Sequence, residues 1–287
     1  MTYGNVLPQG DRAPKSRVNT LNALTGGQWM WFTKTVLPTS YPHVLGHNKR
    51  KEHGANKPPQ LMQALVEFFS KPGERILDPF MGVGGSLLGS SLAGREAVGI
   101  ELVPRWIQLY QEVCGDESII PQACLLGSCR DILPTLGAAS FDCIVTDPPY
   151  GPELKRTMSS RTATRQNRKT DFNMVSTLPD DFASLASYPA FLEMMAEVFA
   201  QCYRVLKPGK YMVFFMRDNY LNGEYHFTTA ELSERAKAVG FVPKGVIVWA
   251  PAGVRLRPYG YPNAYVPNIA HHSIVVLHKP RTGKRKA

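Results

Sequence analysis

The sequence holds one short run whose residue types suit a demanding reaction, Asp147-Pro148-Pro149-Tyr150, placed directly after the apolar stretch 142–146. An exocyclic amine on an aromatic ring is a poor nucleophile because its lone pair is delocalised into the ring. A carboxylate at Asp147 and the main-chain carbonyl of Pro148 can accept its two N–H bonds and draw the nitrogen towards sp3 geometry. The two prolines lack N–H donors and fix the turn that aims the carbonyl. Tyr150 offers a ring face against which a base stacks. The rest of such catalysis is proximity, with the nitrogen and the transferred group held in line. Taken alone, the tetrapeptide also reads as a proline-rich turn with an incidental acid.

A second run, Leu77-Asp78-Pro79-Phe80-Met81-Gly82-Val83-Gly84-Gly85-Ser86, joins an apolar segment to a helical one through a glycine-rich turn. Glycines are needed where the main chain closes on a ligand at dihedrals that side chains disfavour. Nucleotide-binding folds of many chemistries carry such a turn, NAD enzymes among them, so the turn by itself leaves the cofactor open. It has no Lys-Ser/Thr pair, which argues against a phosphate-cradling loop. Glu101 ends the next apolar segment about 20 residues on, where an acid accepts hydrogen bonds from ribose hydroxyls.

The elements that must position these runs alternate regularly. Strands are predicted over 75–78, 97–101, 123–126, 142–146, 211–215, 242–249 and 273–278, and helices over 60–69, 85–93, 104–114, 188–206 and 228–239. Lys71-Pro72-Gly73 and Lys207-Pro208-Gly209 are expected to stop helices. The alternation predicts an α/β fold, a mostly parallel seven-stranded sheet with helices on both faces. Ligands in such sheets sit at the carboxyl ends of the strands, where both runs fall. Residues 1–55 read as an irregular N-terminal arm, 56–280 as the catalytic domain and 281–287 as a basic tail. Within the arm, Gln28-Trp29-Met30-Trp31-Phe32 either packs on the domain or joins a binding surface. Loops 151–187 and 250–271 are long enough to suggest function.

At this point the residues carry a resemblance. Asp78-Pro79-Phe80-Met81-Gly82-Val83-Gly84-Gly85 with Gly99-Ile100-Glu101-Leu102 resembles motifs I and II of the DNA amino-methyltransferases (N6-adenine and N4-cytosine), whose first motif typically reads DPFxGxGT. Gly85 stands in place of the usual Thr or Ser, and Ser86 follows it. His53-Gly54-Ala55-Asn56-Lys57-Pro58 resembles their motif X, and Tyr203-Arg204-Val205-Leu206-Lys207-Pro208-Gly209 is a frequent methyltransferase feature. The resemblance spans most of 57–280. It implies a Rossmann-like methyltransferase fold with S-adenosyl-L-methionine as cofactor and no metal. The cofactor-binding residues it implies are Lys57, Pro58, Asp78, Pro79, Phe80, Gly82, Gly84, Glu101, Leu102 and Asp131, with Lys57 and Pro58 near the amino-acid part. Asp147, Pro148, Pro149 and Tyr150 become the catalytic set.

The Asp-first tetrapeptide is associated by that resemblance with adenine N6, and Ser-first forms with cytosine N4, which stays an alternative. A duplex substrate requires the base to be flipped out. The cofactor motif precedes the catalytic one, the reverse of many DNA amino-methyltransferases, and no large target-recognition domain is left over. In this order the motifs also resemble the tRNA guanine-N2 methyltransferases. Those usually carry an N-terminal THUMP domain, for which the first fifty residues are too short. Carbon-5 methylation needs a cysteine nucleophile beside proline, whereas position 147 is Asp and Cys143 lies within a strand. A non-enzymatic nucleic-acid-binding module with a degenerate pocket is the third reading.

The formal charge of +10 favours a polyanionic partner. Expected substrate contacts are Lys155, Arg156, Arg161, Arg165 and Arg168 in the first long loop, and Arg255, Arg257 and Tyr259 in the second. His271 and His272 read as structural. The five cysteines (Cys114, Cys124, Cys129, Cys143, Cys202) show no CxxC pairing and read as reduced. No apolar run reaches the roughly 20 residues of a membrane span, and residues 1–19 lack the apolar core of a secretory signal. The expected partner is therefore DNA, with RNA as alternative and no membrane; a homodimer stays open. The expected setting is cytoplasmic, in a prokaryote or encoded by a phage.

Overall fold

The computed structural model describes residues 19–151, 176, 178, 180–185, 187–221, 223–253, 256 and 262–281. A parallel strand covered on both faces needs apolar side chains at nearly every position, and the run Phe141–Thr146, which forms β5, is buried throughout. It lies near the middle of an eight-stranded sheet. The other strands are β1 (Val36–Leu37), β2 (Arg75–Asp78), β3 (Glu96–Glu101), β4 (Ala123–Leu126), β6 (Leu206–Met216), β9 (Val242–Trp249) and β10 (His272–His278). Their spatial order is β1-β9-β10-β6-β5-β2-β3-β4. All pairings are parallel except those of β10, which is antiparallel to β6 and β9.

The two-residue period of each strand divides the core in two. Leu77, Ile144, Phe214 and Val275 pack with α7 (Tyr188–Val205) and α8 (Thr228–Ala238). Their neighbours Ile76, Val145, Phe215 and Ile274 pack with α3 (Pro59–Phe69), α4 (Gly85–Leu92) and α5 (Pro104–Asp116). From β2 the chain winds outward through β3 and β4, then returns to β5 on the other side of β2. The carboxyl ends of β2 and β5 therefore flank the switch in strand order, where a crevice opens.

All seven expected strands are present, and the arm supplies an eighth. The described part of that arm is more regular than expected. Helix α1 (Gly26–Phe32) is held by a capping box between Thr25 and Gln28. Phe32 stacks on Phe68 at 4.2 Å and Trp29 tilts against the same ring at 4.9 Å. Val36 and Leu37 pair with Val248 and Trp249. Helix α2 (His47–Arg50) follows. Lys207-Pro208-Gly209 does not separate helix from strand: β6 starts at Leu206, and the three residues fill an irregularity between the pairs Phe141–Leu206 and Cys143–Tyr211. A bulge tolerates proline because no ladder hydrogen bond is asked of it. A short helix α6 (Cys129–Ile132) and a hairpin of β7 (Asn219–Leu221) and β8 (Glu224–His226) had no sequence signal.

The five cysteines are free thiols. No helix among the described residues is long and apolar enough to cross a membrane.

Candidate active site

The glycine turn after β2 is built around a buried acid. Asp78 accepts hydrogen bonds from the Phe80 N–H at 2.9 Å, from Thr146 Oγ1 at 2.5 Å and from the Ser86 hydroxyl. These bonds fasten the turn to the first turn of α4 and to the end of β5. Burial raises the Asp78 carboxyl to about 6 although all three donors pull it down. Ser86 thus reaches the motif's own acid from the position after the missing Thr. Gly84 has φ +73°, and a Cβ there would fall 2.1 Å from Tyr110. A Cβ on Gly85 would lie 3.0 Å from the carbonyl oxygen of Lys57. Glycine at 85 lets the segment before α3 press against the turn.

A cavity of about 390 Å3 opens beside the turn, a size typical of small-molecule sites. Its walls come from the chain before α3 (His53 to Lys57), the turn (Pro79, Phe80, Gly82) and the end of β3 (Ile100, Glu101, Leu102, Val103). Gly127, Ser128 and Cys129 follow from the loop after β4, then the whole tetrapeptide Asp147 to Tyr150, and Asp180 to Ala183. Arg217, Trp249 and His272 complete the lining. Glu101 accepts from the Gly82 N–H at 3.0 Å and the Val103 N–H at 2.8 Å. Burial nevertheless lifts its carboxyl to about 7.

Asp147 holds two protein donors, one on each oxygen. Lys57 Nζ lies 2.6 Å from Oδ2, and the Tyr150 hydroxyl donates to Oδ1 at 2.7 Å. His272 Nδ1 is 3.0 Å from the same hydroxyl. A phenol has one hydrogen, so with that hydrogen on Asp147 it is His272 Nδ1–H that donates to Tyr150. Burial, then the nearby cations Lys57, Arg217 and His271, push the His272 imidazole down to about 2, which keeps it neutral. Burial and the adjacent Asp147 carboxylate raise the Tyr150 hydroxyl far above its ordinary value. Trp249 stacks on His272 at 5.2 Å and donates from Nε1 to the Thr39 carbonyl at 2.9 Å. Asn219 Nδ2 donates to the Tyr150 carbonyl at 2.7 Å, so the β7–β8 hairpin holds the far end of the tetrapeptide.

The four expected catalytic residues are together in this cavity, joined by Lys57, Pro79, Phe80, Gly82, Glu101 and Leu102 of the expected cofactor set. Four others are not in its wall. Pro58 caps α3, and Asp78 and Gly84 act within the turn. Asp131 is exposed on α6, because that helix turns Cys129 inward, and Ser128 and Cys129 rather than Asp131 line the wall. Lys155, Arg156, Arg161, Arg165, Arg168, Arg255, Arg257 and Tyr259 lie outside the described residues. Asn56, Ser128, Arg217, Trp249 and His272 were missed. His272 had a signal in principle: β10 is antiparallel, so its first residue lies at the edge where the parallel strands end, opposite Trp249.

A doubly wound sheet with one antiparallel strand, a glycine turn at the switch point and an acid ending the next strand make up the fold of the S-adenosylmethionine-dependent methyltransferases. The family model described as DNA methylase, of the N6/N4 methyltransferases, matches residues 9–112 and 141–286, and the chain belongs to that family. Over 94 residues it is 35% identical to a tRNA (guanine(10)-N2)-dimethyltransferase of Methanothermobacter thermautotrophicus, covering 32% of this chain and 27% of that protein. Over 75 residues it is 33% identical to the type II methyltransferase M.MthZI of the same species, covering 26% of this chain and 21% of that one. The chain thus spans about a quarter of these relatives. The solved structure of TrmN from Thermus thermophilus shares the fold, with TM-score 0.55 and 18% identity over 84% of this chain and 54% of that one.

The residues present fit the cofactor. Asn56 lines the cavity, and its buried Nδ2 has no hydrogen-bond partner, a donor suited to a carboxylate. Glu101 offers an acceptor for ribose hydroxyls, and Ile100, Leu102 and Phe182 give apolar walls for a purine ring. No cluster of His, Cys, Asp and Glu among the described residues could hold a metal ion.

Proposed function

We propose that this methyltransferase acts on DNA, at the N6 amine of an adenine turned out of the helix. One observation carries the reading: the Asp147 carboxylate directly follows β5 in the cavity wall, oriented on both oxygens by Lys57 and Tyr150. S-adenosylmethionine supplies an electrophilic methyl group on a charged sulfur. The chain supplies position. Each Asp147 oxygen keeps a lone pair for an amine N–H, and Pro148, whose carbonyl lies one residue on, accepts the second. Tyr150, fixed by His272 and Asn219, backs the base. The neutral His272 ring makes no demand on the nearby cations. The Asp-first tetrapeptide, the DNA methylase family and the similarity to type II methyltransferases support DNA and adenine.

A specific observation favours a second reading, an RNA guanine-N2 methyltransferase: the similarity to tRNA (guanine(10)-N2)-dimethyltransferases at 31–35% identity. The two readings part in one experiment. Labelled methyl transfer to unmethylated duplex DNA and to unmodified RNA, followed by nucleoside mass analysis, is expected to yield N6-methyladenine in DNA. Label confined to RNA guanine overturns the first reading, and N4-methylcytosine replaces the base while keeping the DNA. Asp147→Ala is expected to lose at least about a hundredfold in kcat while still binding cofactor. Retained activity in that variant would remove Asp147 from the mechanism.

A further inference from the structure

We propose that Lys57 reads the ring nitrogen beside the target amine, which makes the site selective for bases that present an amino group beside an unprotonated ring nitrogen on the Watson–Crick edge. This rests on the adenine reading above and names the contact that enforces it. Lys57 is 6% exposed, lines the cavity and pairs with Asp147 Oδ2. An ammonium has three donors and no acceptor. Among the described residues its single oxygen partner is Asp147; its other close neighbours are the rings of Tyr150 at 5.2 Å and Phe215 at 5.3 Å. N–H bonds are therefore left over in a buried place, where an unused donor costs free energy that a ligand's acceptor restores.

The pair has a direction. An acceptor, Asp147, stands 2.6 Å from a donor, Lys57, and the complement of that edge is an amine donor beside a ring acceptor. Adenine presents it as N6–H and N1, cytosine as N4–H and N3. Guanine presents N1–H beside its N2 amine on the Watson–Crick edge, which sets donor against donor there; its acceptor N3 flanks the amine only on the side of the sugar. The other carboxylates of the cavity are otherwise engaged: Glu101 with the Gly82 and Val103 amides, Asp180 with the Arg130 guanidinium, and Asp181 with the Ser176 and Ala183 amides. Between the two acceptors near the adenine amine, N1 is bonded to the carbon that bears it, whereas N7 belongs to the other ring. The short separation within the Asp147–Lys57 pair suits the nearer atom, N1.

Duplexes carrying adenine, 1-deazaadenine or 7-deazaadenine at a methylated site test the contact with the wild-type protein and Lys57→Met. The wild type is expected to lose about 10- to 100-fold in kcat/KM on 1-deazaadenine and to keep its rate on 7-deazaadenine. Lys57→Met also loses the ion pair that orients Asp147, so it is expected to lose more than that factor on adenine, but nothing further on 1-deazaadenine, because the bond to N1 is already gone. Its cofactor affinity is read separately by calorimetry, because Lys57 also lines the cofactor cavity. Equal wild-type rates on adenine and 1-deazaadenine overturn this contact alone, and need no variant that must fold. Additive losses, or a Lys57→Met defect confined to cofactor affinity, also overturn it. Methyl transfer to guanine N2 would overturn both the Watson–Crick-edge selectivity and the adenine reading.

Discussion

Two carboxyl groups by the cofactor turn keep their protons to unusually high pH, and in both cases burial outweighs the donors around them. Asp78 is raised to about 6 and Glu101 to about 7. Between the ordinary value of 4.5 and about 7, folded Glu101 holds a proton that the unfolded chain has released. Stability falls with rising pH wherever the folded state binds more protons, so the melting temperature without cofactor is expected to drop from about pH 5 to about pH 7.5. Ribose hydroxyls donate to the anion, so cofactor affinity should rise over the same window and level off above it. Glu101→Gln cannot ionise and should bind weakly with a flat profile. Thermal melts across that range, with and without cofactor, check both signs; a pH-independent cofactor shift in the wild type would remove Glu101 as the ribose ligand. The place of Glu101 in the cavity wall was legible from its spacing after the glycine turn. The partner of Lys57 was not, since 90 residues separate it from Asp147 and only the folded sheet brings them together.

Strands covered on both faces announce themselves as apolar runs, which is why β2, β5 and β10 could be read from residue types. Two-residue β1 has no period to detect, and its place at the edge of β9 is set by main-chain bonds and by Phe32 and Trp29 packing on Phe68. The element matters beyond stability. Thr39, just past β1, accepts the Trp249 N–H, Trp249 stacks on His272, and His272 holds the Tyr150 hydroxyl. Deleting residues 1–40 is therefore expected to lower both the melting temperature and kcat. Phe32→Ala, which keeps the Thr39 contact, should cost about 2 kcal/mol in stability with kcat nearly intact. Equal kcat losses in the two variants would disprove the separation. Gly85 offers the converse case. A methyl group there meets the Lys57 carbonyl at 3.0 Å, and the segment before α3 must shift by a few tenths of an ångström. Gly85→Ala should melt within a few degrees of wild type yet lose about tenfold in kcat, since small misplacements at a reacting centre are expensive.

At the scale of the whole molecule the proposed nucleic-acid substrate requires a grip on a long polyanion. The net charge of +10 comes from 33 basic against 23 acidic residues, and much of the excess near the catalytic motif lies in Lys155, Arg156, Arg161, Arg165 and Arg168. Each phosphate that such a group neutralises adds about −0.9 to the slope of log affinity against log salt on duplex DNA. Replacing all five with Gln is expected to flatten that slope by up to about 4.5 and to raise KM for every duplex alike. Cofactor affinity and kcat should hold, because the proposed orientation of the amine is assigned to Asp147 and Lys57. Asp147 and Lys57 should behave in the opposite way, changing kcat or base preference at a constant salt slope. Measuring steady-state rates across a salt series for both sets of variants separates grip from chemistry. A five-fold variant with an unchanged slope would move the nucleic-acid contact off this loop and onto Arg255, Arg257 and their neighbours between β9 and β10.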